Sequence, residues 1–379
     1  MPSLFVVAGD PSGDAHAARL VTALRQRVPG LTVAGLGGPA LRAVGADLWD
    51  DLTAAASIGP FDAARHLSRF ARAKRLFAEH LASARPDLVL LVDFGDFNLP
   101  ILAPIAKRAG VRVAYYISPQ LWAWGRWRLR FVRQHVDRML VLFKFEEEFY
   151  QRAGVPVTWV GHPLLEEAVP ALPPDQARER CGLNPWRMTV GLLPGSRSDE
   201  VRRHLGLMLA AAKRLAWQMP GVQFLIQKAP GVPRQDMIAT AERAGVDAMI
   251  AEGRMADALQ LMDAAIVTSG TATLETALAG VPMTVVYRTS WPTYLMAKSV
   301  LRIPDIALVN IVAGRRLVPE LVQHQATPKR IAGAMLELLR SREQRESVRA
   351  GLREVREKLG SPGAVDRAAE ELAKLLPKR

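Results

Sequence analysis

The residues with the most chemical content sit in loops that follow short apolar runs. Between Asp263 and Arg288 (DAAIVTSGTATLETALAGVPMTVVYR), Ala264 to Val267 is short enough for a buried strand. Thr268-Ser269-Gly270-Thr271 breaks that run with residues suited to a helix start. Thr273 to Ala279 is helix-compatible, Gly280 stands where such a helix would stop, and Val281-Pro282 restarts a strand over Met283 to Tyr287. The expected β-turn-α-β unit turns free N–H groups and a positive dipole end toward Ser269, Gly270 and Thr271, which suits phosphate or another anion without a metal. Glu275, about one helical turn after Thr271, would aim a carboxylate at the hydroxyls of a bound sugar nucleotide. The same pattern equally describes an ordinary capped helix with Glu275 in solvent.

Three further loops have comparable content. Asp87 to Val92 (DLVLLV) reads as a buried strand that delivers Asp93 and Asp96 to the carboxyl end of a sheet, where α/β proteins place ligands. Two acids on one loop are candidate bases, and also common turn formers and caps. Leu4 to Ala8 reads as a first strand ending in Gly9-Asp10-Pro11-Ser12-Gly13-Asp14, with a helix from about Ala15 to Arg27. This loop is not GxGxxG, and its acids repel phosphate, so Asp10, Ser12, Gly13 and Asp14 suit sugar hydroxyls or a cationic neighbour. Met188 to Leu193 reads as a strand running into Pro194-Gly195-Ser196-Arg197, where the Arg197 fork can pair with a phosphate.

The elements that position these loops fall into two similar halves. Strands are expected at Thr32 to Leu36, Val111 to Ile117, Arg138 to Phe143 and Val157 to Val160, then at Val222 to Gln227 and Ala248 to Ala251, with helices between; Ile306 to Gly314 and Val318 to Val322 come next. The Pro-rich, acidic Val169 to Asp175 reads as the linker, and Thr327 to Lys378 as a charged helical tail. A chain of 379 residues exceeds one ordinary core. The expected division is 1–168, 169–340 and a helical segment 341–379 that packs back on the first domain or is exchanged with a partner subunit.

Composition narrows the partners. Hydrophobic residues at 49% and charged residues at 23% describe a soluble globular protein. The formal net charge of +13 implies an acidic partner: nucleic acid, anionic membrane or phosphorylated substrate. Aromatics at 6% and the lack of a basic low-complexity tail weigh against nucleic acid. A single cysteine, Cys181, excludes an internal disulfide and suits a reducing cytoplasm. Met1 to Asp10 lacks the features of a signal peptide, and no apolar run approaches ~18 residues. Between Ser57 and Leu81, Leu67, Phe70, Phe77 and Leu81 share a helical face while Arg65, Arg69, Arg72, Lys74 and Arg75 decorate the rest. Such a helix either packs on its sheet or lies on a membrane. Trp122, Trp124 and Trp127, interleaved with Arg126 and Arg128, suit a lipid headgroup interface or cation–π packing.

Read together, AGDPSGD (Ala8 to Asp14), VDFGDFN (Val92 to Asn98), SPQLWAW (Ser118 to Trp124), VGHPL (Val160 to Leu164), LLPGSR (Leu192 to Arg197), SGTATLE (Ser269 to Glu275) and VPMTVVYR (Val281 to Arg288) closely resemble the lipid-A-disaccharide synthase family, over nearly the whole chain and in order. The resemblance implies an α/β GT-B-like fold, two Rossmann-like parallel-sheet domains facing a cleft, with a helical C-terminal tail. It implies an inverting, metal-independent transfer of 2,3-diacylglucosamine from UDP-2,3-diacylglucosamine to 2,3-diacylglucosamine 1-phosphate, giving a β(1→6) disaccharide 1-phosphate and UDP. No cofactor is implied. It also implies a peripheral enzyme on the cytoplasmic, anionic face of the inner membrane, compatible with a homodimer built by C-terminal exchange, and no nucleic-acid partner.

On this resemblance Gly195, Ser196, Arg197, Ser269, Gly270 and Thr271 would stabilise the leaving UDP, and Glu275 would hold the ribose. Arg288 and Asn310 would lie near the nucleotide. The chain has no Asp-x-Asp pair, so a metal–diphosphate site of the usual kind is not expected. Asp93 is the expected base for the acceptor's 6-hydroxyl, with Asp96, Asp10 and Asp14 as rivals, and His162 is expected to be structural. Phe70, Arg72, Trp122, Trp124, Arg126 and Trp127, with Ser12, Gly13 and Asp14, would face acceptor, lipid or membrane. The chain departs from the family pattern with Asp10 for Glu, Gly95 and Lys144 for Pro, and Val309 for Pro before Asn310; Gly95 is expected to loosen the Asp93 loop. A UDP-N-acetylglucosamine epimerase or peptidoglycan-type transferase would not need the tryptophan–arginine stretch. A non-catalytic membrane lipid-binding protein would not need Asp93, Arg197 and Glu275 together.

Overall fold

Among the described residues thirteen short strands, four of them buried along their whole length, form two separate parallel sheets, each sandwiched by helices. The structure is a computed structural model and describes residues 1–53, 63–228, 231–300 and 303–377, without the side chains of 63–67, 297, 299 and 300. The start of the basic stretch at Ser57 and the side chains of Arg65 and Leu67 therefore lie outside the described residues, as does the end of the tail at Lys378.

The first sheet contains β1 (Ser3–Ala8), β2 (Thr32–Gly37), β3 (Asp47–Asp51), β4 (Leu88–Val92), β5 (Arg112–Tyr116), β6 (Arg138–Val141) and β7 (Val157–Trp159), in the order β3-β2-β1-β4-β5-β6-β7. All pairs are parallel; β1 and β4 register Leu4 with Leu88 and Ala8 with Val92. Runs such as Leu88–Val92 carry no polar face because helices cover both sides of the sheet. Strand order reverses between β1 and β4, so their carboxyl-end loops flank the crevice where such sheets bind ligands.

The second sheet contains β8 (Thr189–Leu193), β9 (Gln223–Gln227), β10 (Ala248–Ala251), β11 (Ala264–Thr268), β12 (Met283–Tyr287) and β13 (Glu320–Val322), in the order β10-β9-β8-β11-β12-β13. Its reversal point lies between β8 and β11. The two loops that follow these strands are Pro194 to Arg197 and Ser269 to Thr271, so sequence reading and topology select the same pair.

The chain divides into a first unit, Met1–Pro163 with Ser361–Arg379, and a second, Leu164–Gly360. The first division falls before the Pro-rich segment because that segment is pinned to the second unit. The N–H groups of Ala171 and Leu172 donate to Asp257 at 2.6 and 3.0 Å, and Arg254 donates to the Glu167 carbonyl. The tail also divides differently from the expected 341–379 segment. Helix Arg342–Lys358 belongs to the second unit, where Arg356 and Lys358 donate to the carbonyls of Leu278 and Ala313. Only helix Ala364–Leu375 returns to the first unit, packing on helix Pro11–Arg27 with an Arg27–Asp366 ion pair at 2.9 Å and an Arg367–Val160 carbonyl bond at 2.8 Å.

Candidate active site

In the first unit, β4 ends in a turn that L-residues rarely adopt. Asp93 and Phe94 have φ of 44° and 51°, and Ile117, at the end of neighbouring β5, has 65°. Consecutive non-glycine residues in the left-handed region are strained, and such strain collects at functional sites. Several contacts hold it. The Asp93 N–H donates to the Tyr116 carbonyl at 3.0 Å, while the Asp93 carbonyl accepts from the Tyr115 hydroxyl and, at 2.8 Å, from the Asn98 amide. Phe94 packs with Phe97 and Phe70, at ring centroids 5.9 and 5.8 Å away. Gly9 makes room for it: a Cβ there would meet the Phe94 ring at 2.3 Å. Phe70 is thus turned inward against this loop rather than out to lipid, and Arg72 pairs with Asp50 at 3.2 Å.

Burial, and after it the neighbouring charge of Asp10, pushes the Asp93 carboxyl up to about 7, with Asp96 adding a smaller push. A carboxylate that gains its proton near neutrality is matched to taking a proton from a hydroxyl. Its rivals are occupied. Asp10 caps helix Pro11–Arg27, accepting from the Gly13 N–H at 2.6 Å. Asp14, 2% exposed, accepts from the N–H groups of Gly38, Ala40 and Leu41 at 2.8, 2.8 and 3.3 Å, so it stitches β2 to the short helix after it. Three of its roughly four acceptor positions are thereby engaged within the fold. Ser12 is exposed beside Gly13, which is buried. Asp96 is exposed and ion-pairs with Arg128.

The loop after β5 divides its tryptophans. Trp122 is half-buried, donating from Nε1 to Glu146 at 3.2 Å and stacking edge-on with Phe145 at 5.0 Å. Trp124 and Trp127 are exposed with Arg126, and Arg130 lies 5.7 Å over the Trp127 ring. Gly95 does not loosen the Asp93 loop. It is buried against this second loop, where an added Cβ would stand 2.5 Å from Pro119 Cβ. Lys144 pairs with Glu147 and sits 5.1 Å over Trp159. Glu146, which sequence reading passed over as one acid of three in a row, is 2% exposed, and burial pushes it up to about 8. Its other oxygen accepts from the Phe143 N–H at 3.2 Å. The available signal was its place three residues into the helix Lys144–Arg152, where a glutamate reaches back to free N–H groups. His162 is buried and held neutral, pushed down to about 3 by burial and then by His16.

In the second unit, the two loops at the reversal point are tied together by Thr268 Oγ1 donating to the Leu193 carbonyl at 3.0 Å. Gly195 and Gly270 have φ of 119° and 150°, open to glycine alone at little cost. The N–H groups of Ser196 and Arg197 converge on Glu200 Oε2 at 2.9 and 3.3 Å, and Arg197 Nη1 meets Oε1 at 3.2 Å. Glu200 thus occupies the donors a phosphate would use. Arg197 itself remains largely exposed at the start of the long helix Ser198–Gln218.

At the other loop, Thr271 stands at the cap of helix Ala272–Leu278 without a side-chain cap bond, and Ser269 Oγ donates to the Ile306 carbonyl at 3.0 Å. Glu275 is partly buried, burial raises its carboxyl, and among the described residues that carboxyl has no hydrogen-bond partner. It is therefore a ready acceptor for hydroxyl donors. Arg288 is tied back through its backbone: its N–H donates to His204 Nε2 at 3.0 Å, while His204 Nδ1 meets the Glu200 carbonyl at 2.8 Å. Its guanidinium donates to the Ala326 carbonyl. Asn310 is 1% exposed and fully engaged, donating to Val318 O and Glu320 and accepting from the Leu317 and Val318 N–H groups. Its role is to brace the segment before β13. Among the described residues no group of three or more His, Cys, Asp or Glu is placed to hold a metal.

Residues 4–374 match the family model described as lipid-A-disaccharide synthetase. A lipid-A-disaccharide synthase of Myxococcus xanthus is 44% identical over 379 residues, covering 99% of this chain and 98% of the relative. Among solved structures, a UDP-GlcNAc 2-epimerase from Neisseria meningitidis bound to UDP-GlcNAc superposes with a TM-score of 0.65 at 14% identity, covering 99% of this chain and all of the other. The calicheamicin glycosyltransferase CalG4 gives 0.61 at 17%, covering 98% and 97%. These likenesses show the fold, two parallel-sheet α/β units of the kind shared by GT-B glycosyltransferases and such epimerases.

Proposed function

This chain belongs to the lipid-A-disaccharide synthetase family, and from that premise we propose how its loops divide the work of forming the lipid A disaccharide. The donor is UDP-2,3-diacylglucosamine and the acceptor 2,3-diacylglucosamine 1-phosphate. Asp93 takes the proton of the acceptor's 6-hydroxyl as that oxygen attacks the anomeric carbon of the donor. The new C–O bond forms on the face opposite the breaking bond to the diphosphate, so configuration inverts. The electron pair leaves on the β-phosphate of UDP. Ser196, Arg197, Gly270 and Thr271 supply N–H and guanidinium donors to that developing charge once Glu200 swings aside, and Ser269, whose own donors are engaged, holds the second loop in place. Glu275 holds ribose hydroxyls. Arg288 is assigned to the same site, which its N–H bond to His204 supports.

The observation that carries this reading is the strained, desolvated Asp93 at the reversal point of the first sheet, tuned to about 7. The exposed Trp124, Arg126 and Trp127 support contact with an anionic membrane surface, on the cytoplasmic side of the inner membrane. No helix among the described residues is long and apolar enough to cross a membrane. The docking of helix Ala364–Leu375 on helix Pro11–Arg27 is one a second copy could supply in its place, giving an exchanged homodimer. The test is a transferase assay with both lipid substrates, reading disaccharide and UDP, for wild type, Asp93→Ala and Arg197→Ala. Product from wild type with a loss of at least about 100-fold in each variant supports the assignment. A folded wild type that binds UDP and yields no disaccharide refutes the substrate pair.

A further inference from the structure

Arg128 is a charged group that the steps above leave without a task. Its side chain is 2% exposed, yet the carboxylate it pairs with, Asp96, is 76% exposed and stands three residues after Asp93. Only Nη1 is engaged by that pair; Nε and Nη2 are buried with no hydrogen-bond partner. Trp124 lies over the guanidinium at 4.0 Å. Gly125, at φ 69°, admits the idle edge: a Cβ there would stand 2.7 Å from Nη2 and 2.8 Å from Nε. The hydroxyls of neighbouring Tyr115 and Tyr150 are already spent on the Asp93 carbonyl and on Ser118 Oγ. A buried guanidinium with two donor nitrogens unused is costly, and such groups in native proteins answer to a ligand or a role.

We propose that Arg128 is the seat of the acceptor's phosphate monoester, and that Asp96 holds the place until the acceptor arrives. This rests on the acceptor assigned above. The planar guanidinium fork matches two phosphate oxygens where a carboxylate now takes one edge. Trp124, already 38% exposed, swings off the guanidinium face, and Asp96 moves fully into the solvent that most of its side chain already meets. In the hexosamine, the 1-phosphate and the 6-hydroxymethyl lie on either side of the ring oxygen. A phosphate on Arg128 therefore leaves the 6-hydroxyl for Asp93, at the other end of the Asp93–Asp96 loop.

The test measures kcat/KM for 2,3-diacylglucosamine 1-phosphate and for dephosphorylated 2,3-diacylglucosamine, with wild type, Arg128→Gln, Arg128→Lys and Asp96→Asn. Wild type is expected to prefer the phosphorylated acceptor by about 100-fold, as for a desolvated charge pair. In Arg128→Gln that preference falls to within about fivefold of unity, and Arg128→Lys keeps part of it. Asp96→Asn lowers KM for the phosphorylated acceptor more than for the other, a readout that stands even if the Arg128 variants do not fold. A preference unchanged in Arg128→Gln while both rates fall together makes Arg128 a brace for the loop and overturns the proposal. So does a wild type indifferent to the phosphate. A wild type silent on both acceptors overturns the functional assignment and the phosphate seat with it.

Discussion

Replacing Asp93 by Asn should stabilise the first unit at alkaline pH while abolishing transfer, and the pH dependence of the gain can be worked out in advance. Burial, then the charge of Asp10, raises the Asp93 carboxyl from 3.8 to about 7 in the folded protein. Because the folded value lies above the unfolded one, the residue's contribution to stability is complete below about pH 3.8. It declines as pH rises and is lost above about pH 7. About three pH units of separation, at about 1.4 kcal/mol each, set an upper limit near 4 kcal/mol. The partial opening of the side chain to solvent lowers the realised figure. Asn is neutral throughout, is close in shape, and tolerates the left-handed backbone that Asp93 adopts. Asp93→Asn and wild type should therefore be equally stable near pH 4 and diverge toward pH 8, with the variant more stable by about 2–4 kcal/mol. Hydrogen exchange of peptides covering β1 and β4 reports this unit alone, where a melt of the whole chain would mix the two units. A difference that does not change between pH 4 and pH 8 would refute the claim that the folded environment suppresses ionisation of Asp93.

Two further outcomes follow from groups the structure assigns to other work. Asp14→Ala strands three backbone N–H groups, two of them buried beneath helix Pro11–Arg27, and should cost about 3 kcal/mol in urea unfolding; a loss under about 0.5 kcal/mol would contradict its bracing role. Glu200→Gln removes the charge that competes for the Ser196 and Arg197 donors and should tighten UDP binding about 5- to 10-fold by calorimetry, whereas a purely structural cap would leave Kd unmoved or weaken it.

Most of the strands were legible because helices on both sides force runs such as Leu88–Val92 and Ala264–Thr268 to be apolar throughout. β3 was not, since Asp47–Asp51 (DLWDD) is a half-buried edge strand whose polar residues carry no such signal. The loops that carry chemistry were legible as glycine- and hydroxyl-rich breaks after those runs. What each acid does there was not. Asp14 and Asp93 look alike in sequence, and only the N–H groups of Gly38, Ala40 and Leu41, supplied by a distant turn, make one a brace. What Asn310 and Phe70 pack against was hidden for the same reason: their partners, Glu320 and Phe94, are set by tertiary packing. Trp122 and Trp124 share one motif, and the buried Glu146 alone distinguishes the indole that faces inward.

Whether Asp93 acts as a base poised near neutrality is tested most directly by the pH dependence of kcat/KM for disaccharide formation. Such a base predicts an acid limb governed by one ionisation near 7, rising with pH as the carboxylate forms, that shifts to lower pH in Asp10→Asn because a neighbouring negative charge is removed. A rate flat from pH 5 to pH 8, or an acid limb that stays in place when Asp10 is neutralised, would contradict it.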